Sequence, residues 1–113
     1  EVFGLCRSQL DRYFNGSLKE FSVPLSLKGT EFQRRVWEQL MKIPYGETAS
    51  YRDIAVKIGN PKAFRAVGSA NKANPVLIIV PCHRVIGLNG NIKGYSGGSE
   101  LKEYLLGLER KNI

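Results

Sequence analysis

Cys82 and His83 are the two residues whose types and adjacency could do chemistry. A thiol is the most nucleophilic of the side chains, and imidazole is the general base best matched to neutral pH. His83 is also the only histidine in the 113 residues, so proton chemistry near pH 7 would run through it at least cost. Taken alone, the pair is also compatible with plain packing, a small buried thiol beside a satisfied polar ring. Glu109 could join them. It follows Leu105 by one helical turn and points within ~40° of it at 100° per residue. A carboxylate beside an apolar stripe needs a partner if it is buried, and His83 is an attractive one. Gly94 to Gly98, with the hydroxyls of Tyr95 and Ser96, form a glycine loop that could bring backbone amides close to a ligand, or could equally be a linker before a helix.

These residues need elements to hold them. Val76 to Val80 is an apolar run bounded by prolines, which predicts a buried strand, and Pro81 would end it so that Cys82 is delivered at a strand end. Upstream, Phe3, Cys6, Leu10, Tyr13 and Phe14 follow a helical period that Asn15-Gly16 stops, with Cys6 on the packed side. Phe21, Val23, Leu25 and Leu27 alternate with polar residues and predict an edge strand containing Pro24. Thr30 and Gln33 form a capping box ahead of the stripe Phe32, Val36, Leu40, Ile43, which Trp37 and Met41 widen toward the core.

Ser50 and Asp53 repeat the capping pattern before Ile54, Ala55 and Ile58, with Gly59 as the stop. Asn60 then caps a further helix with Pro61 in its first turn, so that two short helices joined by a tight turn make a helix-turn-helix. Phe64, Val67 and Asn71 form one side of that helix, the first two facing inward. Arg65, Ala66, Gly68, Ser69 and Lys72 give the rest a small, basic character. Such a surface suits close approach to a nucleic-acid groove, or else tight helix–helix packing. Asn89-Gly90 predicts a hairpin wing, and Ser99 caps a last helix with Leu101, Leu105 and Leu108 inward.

Composition narrows the classes. Lysine and arginine number 17 against 10 acidic residues, for a net charge of +7, which favours a polyanionic partner. No apolar stretch approaches the ~20 residues that span a bilayer, and the amino end lacks a basic-then-apolar signal pattern. The expectation is a soluble intracellular protein, cytoplasmic or, in a eukaryote, nuclear, with Cys6 and Cys82 as thiols.

From Gly29 onward the chain resembles the carboxy-terminal domain of the O6-alkylguanine-DNA alkyltransferases, also called methylated-DNA–protein-cysteine methyltransferases. The resemblance rests on Pro81-Cys82-His83-Arg84-Val85, Asn74-Pro75, Arg65-Ala66-Val67-Gly68, Pro44-Tyr45-Gly46-Glu47, Ser50-Tyr51 and Tyr95-Ser96-Gly97-Gly98, with Glu109 behind. It covers about three quarters of the chain, and the motifs occur in order. It implies a mainly α fold with small β elements: a helix-turn-helix, winged-helix-like DNA-binding domain over 29–113, preceded by a short amino-terminal helix and edge strand over 1–28.

The resemblance also implies roles. Cys82 would be the alkyl acceptor, with His83 and Glu109 activating it and Asn74 tying the helix-turn-helix to the active-site segment. Tyr51 would help rotate the damaged nucleotide out, and Arg65 would enter the base stack. Tyr95, Ser96 and Gly97 would line the guanine pocket, and Ala66, Gly68, Ser69 and Lys72 would lie in the minor groove of duplex DNA. The family's metal ligands have no counterparts here, so neither metal nor cofactor is expected, and the protein should act as a monomer away from membranes. Two other readings are a non-catalytic lesion-binding protein on the same scaffold and a cysteine hydrolase. The presence of Cys82 disfavours the first, and the DNA-binding features disfavour the second.

Overall fold

A computed structural model describes residues 2–23, 25–87 and 97–113. Among these residues are five α-helices: α1 (Val2–Phe14), α2 (Glu31–Leu40), α3 (Tyr51–Lys57), α4 (Phe64–Lys72) and α5 (Ser99–Lys111). Between them lie two strands of two residues each, β1 (Ala49–Ser50) and β2 (Val85–Ile86), and a 3-10 turn at Cys82–Arg84. The predominantly helical expectation is met.

Local chemistry explains most of the boundaries. Thr30 accepts from the amide of Gln33 at 3.0 Å while the Gln33 side chain accepts from the amide of Thr30 at 3.0 Å. Ser50 and Asp53 exchange the same pair of bonds ahead of α3. Gly16 and Gly59 sit at φ +84° and +82° and stop α1 and α3 there. Helix α2 packs across α3 and α4, burying Val36, Trp37, Leu40, Ile54 and Val67, and the Trp37 indole N–H donates to the Ala70 carbonyl at 2.9 Å. Strands β1 and β2 run parallel, pairing Ala49 with Val85 and Ser50 with Ile86. That short ladder fixes the start of α3 against the chain leaving Cys82.

Several expectations fail. Val76–Val80 is no strand: Leu77 and Val80 form an isolated bridge, and Ile78 turns left-handed at φ +75°, rare for a β-branched residue. The backbone turns because Asn74 supplies the bonds a neighbouring strand would have given, donating to the Val80 carbonyl at 2.8 Å and accepting from the Val76 amide at 2.9 Å. Residues 21–23 and 25–27 keep the expected alternation of burial but form no strand. Ser22 is held instead by the Gln9 side chain, which accepts from its amide at 2.9 Å and donates to its hydroxyl at 2.6 Å.

Helix α4 begins at Phe64, later than a cap at Asn60 implies, because residues 61–63 form a turn closed by the Ala63 amide on the Asn60 carbonyl. Ser99 is the first residue of α5 rather than its cap, which is Gly98 at φ +93°. Met41 and Phe64, both read as inward, are 49% and 38% exposed, since α2 ends at Leu40 and the first turn of α4 stands clear of the core. The hairpin expected at Asn89-Gly90 lies outside the described residues.

Candidate active site

The 3-10 turn sets Cys82 and His83 into the interior, both with no exposed surface. The backbone of the turn is held from two sides. The Cys82 amide donates to the Val80 carbonyl at 2.8 Å, and the Asn71 side chain of α4 donates to the Cys82 carbonyl at 3.4 Å. Asn74, 7% exposed, fixes the approach through its two bonds to the preceding turn. The helix-turn-helix and the cysteine are thus tied together by side-chain amides.

Helix α5 brings Glu109 to His83. Nε2 of His83 lies 2.6 Å from Oε2 of Glu109, and the carboxylate is 1% exposed. Arg84 donates to both oxygens of that carboxylate, at 2.8 and 2.9 Å, and to the Ile43 carbonyl at 2.8 Å. The Tyr13 hydroxyl of α1 donates to Oε2 at 2.6 Å, and the Gly46 amide donates to Oε1 at 3.2 Å. Gly46 is at φ +81°, and a β-carbon there would come within 2.8 Å of the Ile113 side chain, so this amide needs a glycine.

The electrostatics follow from these contacts. Burial alone would raise the Glu109 carboxyl, but the hydrogen bonds from His83 and Arg84 outweigh it and hold the pKa at about 2. Burial lowers His83 below the usual histidine value despite the opposing bond to Glu109. The resting pair is therefore a neutral imidazole on a carboxylate. With Nε2–H directed at Glu109, Nδ1 keeps its lone pair, and that atom is buried without a hydrogen-bond partner among the described residues. It is an atom that can accept a proton.

Tyr51 opens α3 half-buried and interacts electrostatically with Cys82. Arg65, Ala66, Ser69 and Lys72 are exposed along α4, and Gly68 lies against the Tyr51 ring. Gly97 is exposed in the turn before α5, and Tyr95 and Ser96 lie outside the described residues. The structure thus gathers Cys82, His83, Glu109, Asn74 and Tyr51 into one site, with the α4 residues on an adjoining surface.

Two members went unread in the sequence. Lys102 of α5 has no exposed surface, donates its ammonium to the Val85 carbonyl, and shares an electrostatic interaction with Cys82. Burial lowers its pKa while the cysteine charge opposes that shift. Its position three residues before Leu105 puts it on the inward side of α5, but a lysine on an amphipathic helix ordinarily reads as solvated. Tyr13 was assigned to the packed side of α1, yet its hydroxyl reaches the catalytic carboxylate candidate.

Residues 31–111 match the family model described as the 6-O-methylguanine DNA methyltransferase DNA binding domain, and residues 1–27 match that of the same enzyme's ribonuclease-like domain. A Methanosarcina acetivorans protein named methylated-DNA–protein-cysteine methyltransferase is 59% identical over 109 residues, which is 96% of this chain and 70% of that protein. The crystal structure of Mycobacterium tuberculosis OGT in complex with DNA superposes with a TM-score of 0.96 at 56% identity, covering 98% of this chain and 69% of that one. Schizosaccharomyces pombe Atl1, in complex with damaged DNA containing O6-carboxymethylguanine, is more distant. It has a TM-score of 0.63 at 35% identity, over 74% of this chain and 79% of that one.

Proposed function

The chain belongs to the methylated-DNA–protein-cysteine methyltransferases, which repair DNA by direct reversal, and we propose that Cys82 is the residue that takes the alkyl group from O6 of guanine. The observation that carries this assignment is the buried pair in which Glu109 binds His83 Nε2 at 2.6 Å, with His83 next in the chain to the fully buried Cys82.

An ordinary thiol, with a pKa of about 8.5, is only a few per cent thiolate at neutral pH. His83, directly or through a water, takes the thiol proton, and Glu109 holds the ring and stabilises its charge. The thiolate attacks the alkyl carbon, a C–S bond forms as the C–O6 bond breaks, and the electron pair leaves with the guanine, which is then protonated. The Lys102 ammonium, which interacts electrostatically with Cys82, favours the thiolate. The product is a thioether with no electrophilic carbonyl for water to attack, so each molecule acts once.

The alkyl group lies inside the duplex until its nucleotide is extruded, at a cost of a few kcal/mol. In this reading Arg65 fills the vacated stack and Tyr51 helps turn the nucleotide out, while Ala66, Gly68, Ser69 and Lys72 lie along the minor groove. Gly68 supports the groove reading over internal packing: a methyl there would meet Tyr51 only at an ordinary 3.9 Å, so nothing inside the protein demands a glycine. The net charge of +7 adds affinity without sequence preference. Tyr95, Ser96 and Gly97 are assigned to the guanine pocket on the resemblance alone.

The same reading divides the chain into an amino-terminal segment over 1–28 and a DNA-binding alkyltransferase domain over 29–113, acting as a monomer inside the cell. No described helix is long and apolar enough to cross a membrane. The test is Cys82→Ser, which should abolish alkyl transfer and leave affinity for the duplex within about two-fold. Loss of affinity as well would make Cys82 a structural residue and defeat the assignment.

A further inference from the structure

Phe64 is a large apolar side chain set at the edge of the core. Its ring is 38% exposed and lies outside the buried core and the residues packed against it. Arg52, on the first turn of α3, places its guanidinium over that ring, 5.5 Å from the centroid. Tyr51, Arg52, Phe64 and Gly87 line a cavity of about 210 Å³. Two of its walls are aromatic, and Gly87 follows directly on β2.

The cavity adjoins the reacting centre without belonging to it. Tyr51 links the two, since it interacts electrostatically with Cys82 and lines this cavity, and the Ser50–Ile86 pairing holds its base beside the strand that leaves Cys82. Arg65, next in the chain to Phe64, is exposed. The volume falls below the ~300–1,000 Å³ of pockets that enclose drug-sized ligands, so a single ring system is the natural occupant. Aromatic faces with exposed guanidinium groups stack nucleobases and pair with their phosphates, largely without regard to sequence.

We propose that this cavity seats a second nucleobase of the DNA, a neighbour of the alkylated nucleotide on the same strand, stacked on Phe64 with Arg52 on its phosphate. The inference rests on the alkyltransfer reading and adds to it a positioning contact. By holding the neighbour, Phe64 fixes the strand beside the extruded nucleotide, so the damaged base is presented to Cys82 in one register.

The test is the rate constant for methyl transfer to Cys82 in the wild type, Phe64→Ala and Phe64→Leu. Each is measured on a duplex with a single O6-methylguanine, and on duplexes where the 5′ neighbour, the 3′ neighbour or the opposite base is replaced by an abasic residue. Both variants should lose about five-fold or more on the intact duplex, as expected for a lost base stack. That loss should vanish on one of the two neighbour-abasic duplexes, because the partner is already gone. Phe64→Leu keeps an apolar side chain, so a shared defect isolates the aromatic face from bulk. An equal loss on all four duplexes, no loss at all, or a loss relieved only by the opposite abasic residue overturns the proposal. If the wild type transfers nothing from the intact duplex, the alkyltransfer reading fails instead. The same comparison of variants and duplexes, read by fluorescence anisotropy of binding, then decides the stacking contact.

Discussion

Glu109 and Arg84 form a two-pronged ion pair, at 2.8 and 2.9 Å, on the same carboxylate that holds His83. The carboxylate of α5 therefore serves two ends. It orients the imidazole, and it neutralises a buried guanidinium that anchors the active-site turn to the carbonyl after α2. Glu109→Gln keeps the shape but leaves Arg84 charged in the interior. Breaking a buried pair from one side costs about 3–5 kcal/mol. The unfolding free energy from urea titration should fall by that order, and transfer should slow as the ring loses its partner. A change below about 1 kcal/mol would mean that the pair contributes little to holding the turn.

Stability should fall on acidification. Glu109 ionises at about 2 in the folded protein against an ordinary 4.5, so its contribution is complete above pH 4.5 and is lost as the pH falls toward 2. His83 is pushed below its ordinary 6.5, so the unfolded chain binds a proton that the folded protein refuses, and stability also drops as the pH passes below 6.5. Urea midpoints measured from pH 8 to pH 3 should decline below about 6.5 and more steeply below about 4.5. Glu109→Gln should lose the second phase. A midpoint that rises between pH 7 and pH 5 would contradict the neutral assignment of His83.

Lys102→Met removes a buried charge near Cys82 while keeping most of its volume. A neighbouring ammonium favours a thiolate, so its loss should move the rising limb of the pH–rate profile for transfer to higher pH. A merely structural lysine would change the melting temperature and leave the profile where it was.

Helix starts were legible because capping is a local matter: Thr30 with Gln33 and Ser50 with Asp53 read the same in sequence and in space. The His83–Glu109 pairing was legible because helical period puts Glu109 beside Leu105, and one histidine leaves one choice. The segment 76–80 misled because a hydrophobic run reports burial and not backbone direction. The side chain of Asn74, together with the segment's own Ile79–Leu77 and Val80–Val76 backbone bonds, turns it. Lys102 and Tyr13 were hidden for a related reason. Their partners, the Val85 carbonyl and Glu109, are supplied by other elements, the latter 96 residues away from Tyr13.

The most direct test of the central claim is the mass of the peptide containing Cys82 after titration with a duplex carrying one O6-methylguanine. The account predicts a gain of one methylene on that peptide, reaching one equivalent and stopping there. Repair continuing past one equivalent, or tight binding with no gain in mass, would contradict it.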